Sequence, residues 1–246
     1  MTRTREILGQ LIAYPTVSAD SNLALIEHLA GLLADAGARV EVFRDPSGGK
    51  ANLFATIGPD IDGGILLSGH SDVVPVADQA WTSDPWAMVE RDGRLYGRGT
   101  CDMKGFIAAA VALAPVYAQK ATARPIHFAF THDEEIGCLG AQALAPLLQA
   151  RGVKPRVAII GEPTLMRVIE GHKGCYEYSV HFTGLEGHGS APERGVNAVE
   201  YAVRYVARLL QLHDVLKALA PPDSPFEPPW TTINNGAMVR ALGHNL

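Results

Sequence analysis

Apolar residues recur along the first 160 positions in two alternating rhythms. Between residues 22 and 36, Leu23, Leu25, Ile26, Leu29, Leu32 and Leu33 form one broad helical face. Ser21 stands where a helix N-cap belongs, and Gly37 stops the helix. Shorter apolar runs at 38–43, 51–57 and 64–70 read as strands, and Arg91-Asp92-Gly93-Arg94 is a hairpin turn signal between two more. A helix is predicted over 103–119, bent or shortened by Pro115. A strand at 125–130, a helix at 139–149 and a strand at 156–160 follow, and a short amphipathic helix before Pro15 precedes the whole series.

Strands alternating with helices predict an α/β fold whose sheet is helix-covered, mixed and mainly parallel. The rhythm changes near Lys173. Residues 175–182 alternate like a half-exposed strand, 196–219 read as a long helix, 221–225 as a proline-rich loop and 231–238 as a further strand. Two domains are expected, 1–172 and 173–246.

Composition narrows the function classes. A formal charge of −5 over 246 residues offers no electrostatic footprint for nucleic acid. Cys101, Cys138 and Cys175 are scattered without CxxC spacing and read as reduced thiols, with Cys101 a small packed residue. No apolar window approaches the roughly 20 residues that span a bilayer, and the N-terminus lacks a secretory cleavage site. A cytoplasmic protein with no membrane partner is expected.

The informative chemistry lies where strands end. His70 and Asp72 follow the apolar run Ile65-Leu66-Leu67, and side chains two apart on a strand share a face. One can bind a metal while the other orients it. Asp102 follows the glycine-rich Gly97-Arg98-Gly99, Glu134 and Glu135 follow Phe130-Thr131, and Glu162 follows Ile159-Ile160-Gly161. In open α/β sheets ligands gather at the carboxyl ends of strands. Each acid alone has a bland reading: a helix cap for Asp102, solvated loop acids for Glu134 and Glu135, a turn residue for Glu162. Together they would crowd like charges, a conflict that a divalent cation resolves. Imidazole with carboxylates suits zinc, a carboxylate bridge suits two ions, and cobalt or manganese would accept the same donors.

His70-Ser71-Asp72-Val73-Val74-Pro75, Gly97-Arg98-Gly99-Thr100-Cys101-Asp102-Met103-Lys104-Gly105, Asp133-Glu134-Glu135-Ile136-Gly137 and Gly161-Glu162-Pro163-Thr164 resemble, in order and spacing, the motifs of the zinc-dependent aminoacylase and peptidase family. Gly171-His172-Lys173-Gly174, Gly187-His188-Gly189-Ser190 and Arg194-Gly195-Val196-Asn197-Ala198-Val199-Glu200 are most similar to the branch that deacetylates N-acetylated amino acids. The desuccinylase and carboxypeptidase branches are the alternatives.

The resemblance implies a zinc-peptidase-like catalytic domain and a smaller α+β lid that forms a homodimer, acting on a small N-acylated amino acid. It implies two Zn2+ (or Co2+), with His70 and Glu162 on one ion, Glu135 on the other and Asp102 bridging them. Asp72 would orient His70, and Glu134 would be the general base that takes a proton from water and passes it to the leaving amine. His188 would stabilise an oxyanion from the partner subunit's lid; an exposed loop histidine is the competing reading. His172 faces substrate or takes a hinge or surface role, while His127 and His132 read as structural or as supports behind the ligands and not as ligands.

In that family the lid continues through further strands, and a later histidine completes the second ion's ligands. This chain ends at Leu246. His244 lies in a segment that resembles the lid itself, and Arg240-Ala241 stand where relatives carry a glycine pair. On this resemblance the second site is expected to be incomplete and turnover impaired. A non-catalytic fragment that binds one metal or a partner is the reading from another class.

Overall fold

The computed structural model describes residues 2–18, 20–77, 79–121 and 123–236. It divides into two compact units, Met1–Arg167 and Val168–Leu246.

In the first unit, helices α1 (Thr2–Ile12) and α2 (Leu23–Asp35) precede strands β1 (Arg39–Arg44), β2 (Ala51–Ile57) and β3 (Ile65–His70). The hairpin β4 (Val89–Arg91) and β5 (Arg94–Tyr96) turns through Asp92 and Gly93, both at positive φ, as a tight two-residue connection requires. Helices α3 (Lys104–Ala112) and α4 (Ala114–Lys120), strand β6 (Ile126–Thr131), helix α5 (Leu139–Ala150) and strand β7 (Val157–Ile160) complete it. The predicted helix over 103–119 is thus two helices. Pro115 sits in the first turn of α4, where its missing N–H costs nothing, and the chain breaks at Leu113.

The five-stranded sheet has the order β1-β2-β6-β3-β7. β6, β3 and β7 pair in parallel, while β2 runs antiparallel to β6 and to β1. Four strands therefore point one way and β2 alone runs back, so the sheet is mixed and mainly parallel.

Alternation along the strands sends side chains to two cores. Leu53, Ala55, Ile57, Leu67, Phe128 and Phe130 pack with buried residues of α1, α2 and α3, whereas Phe54 and Ala129 pack with Leu144 and Leu148 of α5. Helices cover both faces, which is why all seven residues of β2 are buried. Each fully buried leucine or phenylalanine contributes about 1.5–3 kcal/mol.

The second unit contains α6 (Ala198–Ala218), whose N-cap Asn197 accepts the N–H of Val199 at 3.0 Å, and a 3-10 turn at Pro192–Arg194. The alternating segment 175–182 is not a strand here. A strand's backbone groups are satisfied by a neighbouring strand, and the described residues of this unit provide only the isolated bridge Leu185–Val196. Residues 231–236 are likewise irregular, and the rest of that expected strand, with Arg240, Ala241 and His244, lies outside the described residues.

Candidate metal centre

Three parallel strands end on one edge of the sheet, and each delivers a ligand type there. His70 is the last residue of β3, Glu134 and Glu135 lie three and four residues beyond β6, and Glu162 lies two beyond β7. Asp102 arrives from the loop between β5 and α3. Because β2 runs backwards, its first residues reach the same edge, and with them Lys50.

His70 is nearly sealed from solvent, at 2% exposure. Its backbone N–H points at Met103 Sδ, 3.2 Å away, a contact made possible by Gly69: a Cβ there would stand 3.0 Å from Met103 Cε. Ring atom Nδ1 is 2.9 Å from the backbone carbonyl of Asp72, and Nε2 is 2.9 Å from Asp102 Oδ1. Glu134 Oε2 and Glu162 Oε1 each lie 3.9 Å from Nε2. Burial alone would push the imidazole pKa down, but Asp72 and Asp102 outweigh it and raise it to about 9.

The carboxylate of Asp72 stands 3.5 Å from Nδ1, so the ring proton goes to this residue's carbonyl and its carboxylate is used elsewhere. Ser18 Oγ donates to Oδ2 at 2.6 Å, and the backbone N–H groups of Glu134 and Glu135 donate to Oδ1 and Oδ2 at 3.0 and 3.3 Å. Against the upward push of burial, the adjacent His70 ring and the bonds from Ser18 and Glu134 N–H bring its pKa down to about 2. Asp72 therefore fixes both the imidazole and the turn that carries the two glutamates. That turn closes on itself, with the N–H groups of Gly137 and Cys138 donating to the Glu134 carbonyl at 3.0 Å.

Ligand atoms of His70, Asp102 and Glu162 lie within 4.8 Å of one another, as do those of His70, Glu134 and Glu135. The two groups share one ring nitrogen, which can coordinate one ion. Burial first, and then the negative charge of Asp102, raise the pKa of Glu135, and burial raises that of Glu162 against the opposing charge of His70. Lys50 is engaged by Asp133 and Ser18, and Lys104 donates to the carbonyls of Leu11 and Tyr14 at 3.1 and 2.7 Å. Neither lysine relieves this crowding. A donor set of one imidazole and several half-exposed carboxylates fits a divalent cation.

His188 lies in the second unit, exposed, with Nδ1 2.7 Å from Ser190 Oγ. His172 is exposed as well, whereas His127 and His132 are buried at 8% and 6%. Cys101 is exposed, not packed: its neighbour Met103 turns inward while residue 101 stays on the outer side of the loop. Ser18 and Lys50 shape the site without any signal in spacing or composition, because each acts through a neighbour distant in sequence, while Met103, Lys104 and Asp133 lie inside the motifs without a role legible from them.

A family model described as peptidase family M20/M25/M40 matches residues 66–244. Among curated proteins, the acetylornithine deacetylase of Klebsiella pneumoniae (strain 342) is 41% identical over 240 residues, covering 95% of this chain and 61% of that protein. The chain spans about three fifths of the length of the curated relatives it matches. Among solved structures, human carnosine dipeptidase 1 aligns with a TM-score of 0.55 at 24% identity, over 65% of this chain and 38% of that one. A tripeptidase from Staphylococcus aureus subsp. aureus Mu50 aligns with a TM-score of 0.57 at 19% identity, over 84% and 56%. These two show the fold.

Proposed function

The chain belongs to peptidase family M20/M25/M40, and on that footing we propose that it carries the metal centre of an amidohydrolase that removes the acetyl group from N2-acetyl-L-ornithine. The products are L-ornithine and acetate, a step of arginine biosynthesis. The observation that carries the reading is the convergence of His70, Asp102 and Glu162 on one sheet edge, with Glu134 and Glu135 beside them. Substrate choice is supported by the name shared by the curated relatives at about 41% identity.

His70 Nε2, Asp102 and Glu162 would hold one ion, zinc or cobalt, and Asp102 with Glu135 would face a second. When bound, a divalent metal acidifies water and polarises a carbonyl oxygen. Everything else falls to the chain. The Asp72 carbonyl keeps the proton of His70 on Nδ1, which leaves Nε2 as the donor atom. Glu134, half-exposed with Oε2 3.9 Å from His70 Nε2, accepts a proton at its carboxylate and returns it to the departing amine. His188, on the second unit, would add a donor toward the oxyanion if a homodimer brings the partner's copy over the site.

A cytoplasmic location fits this role. Among the described residues no helix is long and apolar enough to cross a membrane.

The test is an assay of the zinc-loaded, full-length protein with N2-acetyl-L-ornithine and N-succinyl-LL-diaminopimelate side by side. Preferential release of acetate from the first supports the proposal. Preferential release of succinate moves the protein to the desuccinylase branch, and hydrolysis of neither removes the amidohydrolase reading.

A further inference from the structure

Lys50 immediately precedes β2. Its Nζ donates to two oxygens at once, the carbonyl of Ser18 and Oδ1 of Asp133. Both side chains of the ion pair are largely out of water, at 15% and 8% exposure. A carboxylate buried that far needs a partner, and removing one member of such a pair leaves the other uncompensated. The second oxygen of Asp133 is 3.1 Å from Nδ1 of His132, a nitrogen that is buried and makes no hydrogen bond.

Asp133 is also one of the few non-glycine residues at positive φ, 54°. The left-handed conformation turns the chain sharply after β6, so that the next two N–H groups face Asp72. Lys50 has its own support. The Asp45 carboxylate accepts the Lys50 N–H at 3.1 Å and the Ser47 hydroxyl at 2.8–2.9 Å, closing the β1–β2 connection into a fixed turn.

The contacts form a ring. Lys50 binds the carbonyl of Ser18, whose hydroxyl binds Asp72; Asp72 binds the N–H groups of Glu134 and Glu135; Glu134 is bonded to Asp133, which returns to Lys50. We propose that Lys50 is a positioning residue: acting through Asp133, it closes this ring and sets the direction in which Glu134 and Glu135 enter the metal centre. The inference rests on the reading of these two glutamates as working groups of that centre.

The experiment compares K50M, K50R, D133N, the double variant K50M/D133N and E135Q with the parent, in the full-length protein. Zn2+ affinity is measured by competition with a chromophoric chelator, and kcat and KM are measured with N2-acetyl-L-ornithine. Loss of an outer partner of a metal site costs about 10–100-fold in affinity or activity. K50M and D133N are each expected to weaken Zn2+ binding or lower kcat by that factor with KM within twofold of the parent. The double variant should be no worse than either single one, and K50R should stay near the parent. D133N, which changes one atom, carries the test if K50M does not fold.

Zn2+ binding and kcat within twofold of the parent in both single variants would overturn the inference. So would losses that multiply in the double variant, since the two residues would then act separately. E135Q distinguishes the two levels: unchanged Zn2+ affinity in E135Q would remove Glu135 as a working group of the metal centre, the reading on which the inference rests, and leave the His70, Asp102 and Glu162 group untouched.

Discussion

Nδ1 of His70 lies 2.9 Å from the backbone carbonyl of Asp72, an oxygen that can only accept. Nδ1 therefore keeps a proton in both charge states of the ring, and Nε2, turned toward Asp102, Glu134 and Glu162, is the nitrogen that would give up its proton to a metal. One residue thus uses its carbonyl to set a tautomer and its carboxylate to hold the loop opposite. The division of labour at this site follows from that double use.

Ser18→Ala tests the buried support of Asp72. The Ser18 hydroxyl donates at 2.6 Å to a carboxylate with 1% exposure, and a hydrogen bond to a charged group is worth about 1.5–3 kcal/mol. Denaturant unfolding of the metal-free protein should show a loss of that size, with no change in the slope against denaturant. A loss below about 0.5 kcal/mol would mean that Ser18 does not support Asp72.

Glu134→Ala separates the two adjacent glutamates. The structure turns both toward His70, so their roles are divided by experiment. Hydrolysis should fall by about 10²–10⁴-fold, the range for removing a general base, while Zn2+ stays bound within about threefold of the parent. Substantial turnover in the variant would take the proton-transfer role away from Glu134.

Much of this arrangement is legible in the sequence, and for a physical reason. Strand-end position is written in local pattern: an apolar run such as Ile65-Leu66-Leu67 followed by His70 and Asp72 already says which side chains meet at the sheet edge. The reversed direction of β2 is not written there, because pairing direction depends on partners far along the chain. That reversal brings Lys50 to the acid loop. Asp133 stands in a legible motif, but its left-handed conformation and its pairing with Lys50 are not written there, since such an aspartate looks like any other in a run of acids. The segment 175–182 shows the opposite error: its alternation is strand-like, yet the described residues supply no ladder to complete it.

His127 gives the fold a pH dependence away from the metal centre. It lies within β6, stacked on Phe54 with ring centroids 5.5 Å apart and Nδ1 2.9 Å from Thr56 Oγ1. Burial first, and then the charge of Arg39, lower its pKa below the ordinary 6.5. Above pH 6.5 both folded and unfolded chains hold it neutral. Below that, the unfolded chain takes up a proton that the folded chain refuses, so the contribution of His127 to stability falls as pH drops from 6.5 toward the folded value. In H127Q this dependence should flatten by up to one proton in unfolding experiments between pH 7 and 5. An unchanged slope would show that His127 is not its source.

The central claim is that His70, Asp102 and Glu162 hold a divalent cation, and anomalous diffraction at the zinc absorption edge from crystals of the zinc-loaded protein tests it most directly. The account predicts an anomalous peak at about 2.0–2.2 Å from His70 Nε2 and from a carboxylate oxygen of Asp102 and of Glu162. No zinc within coordination distance of these three residues, or zinc bound only elsewhere on the chain, would contradict it.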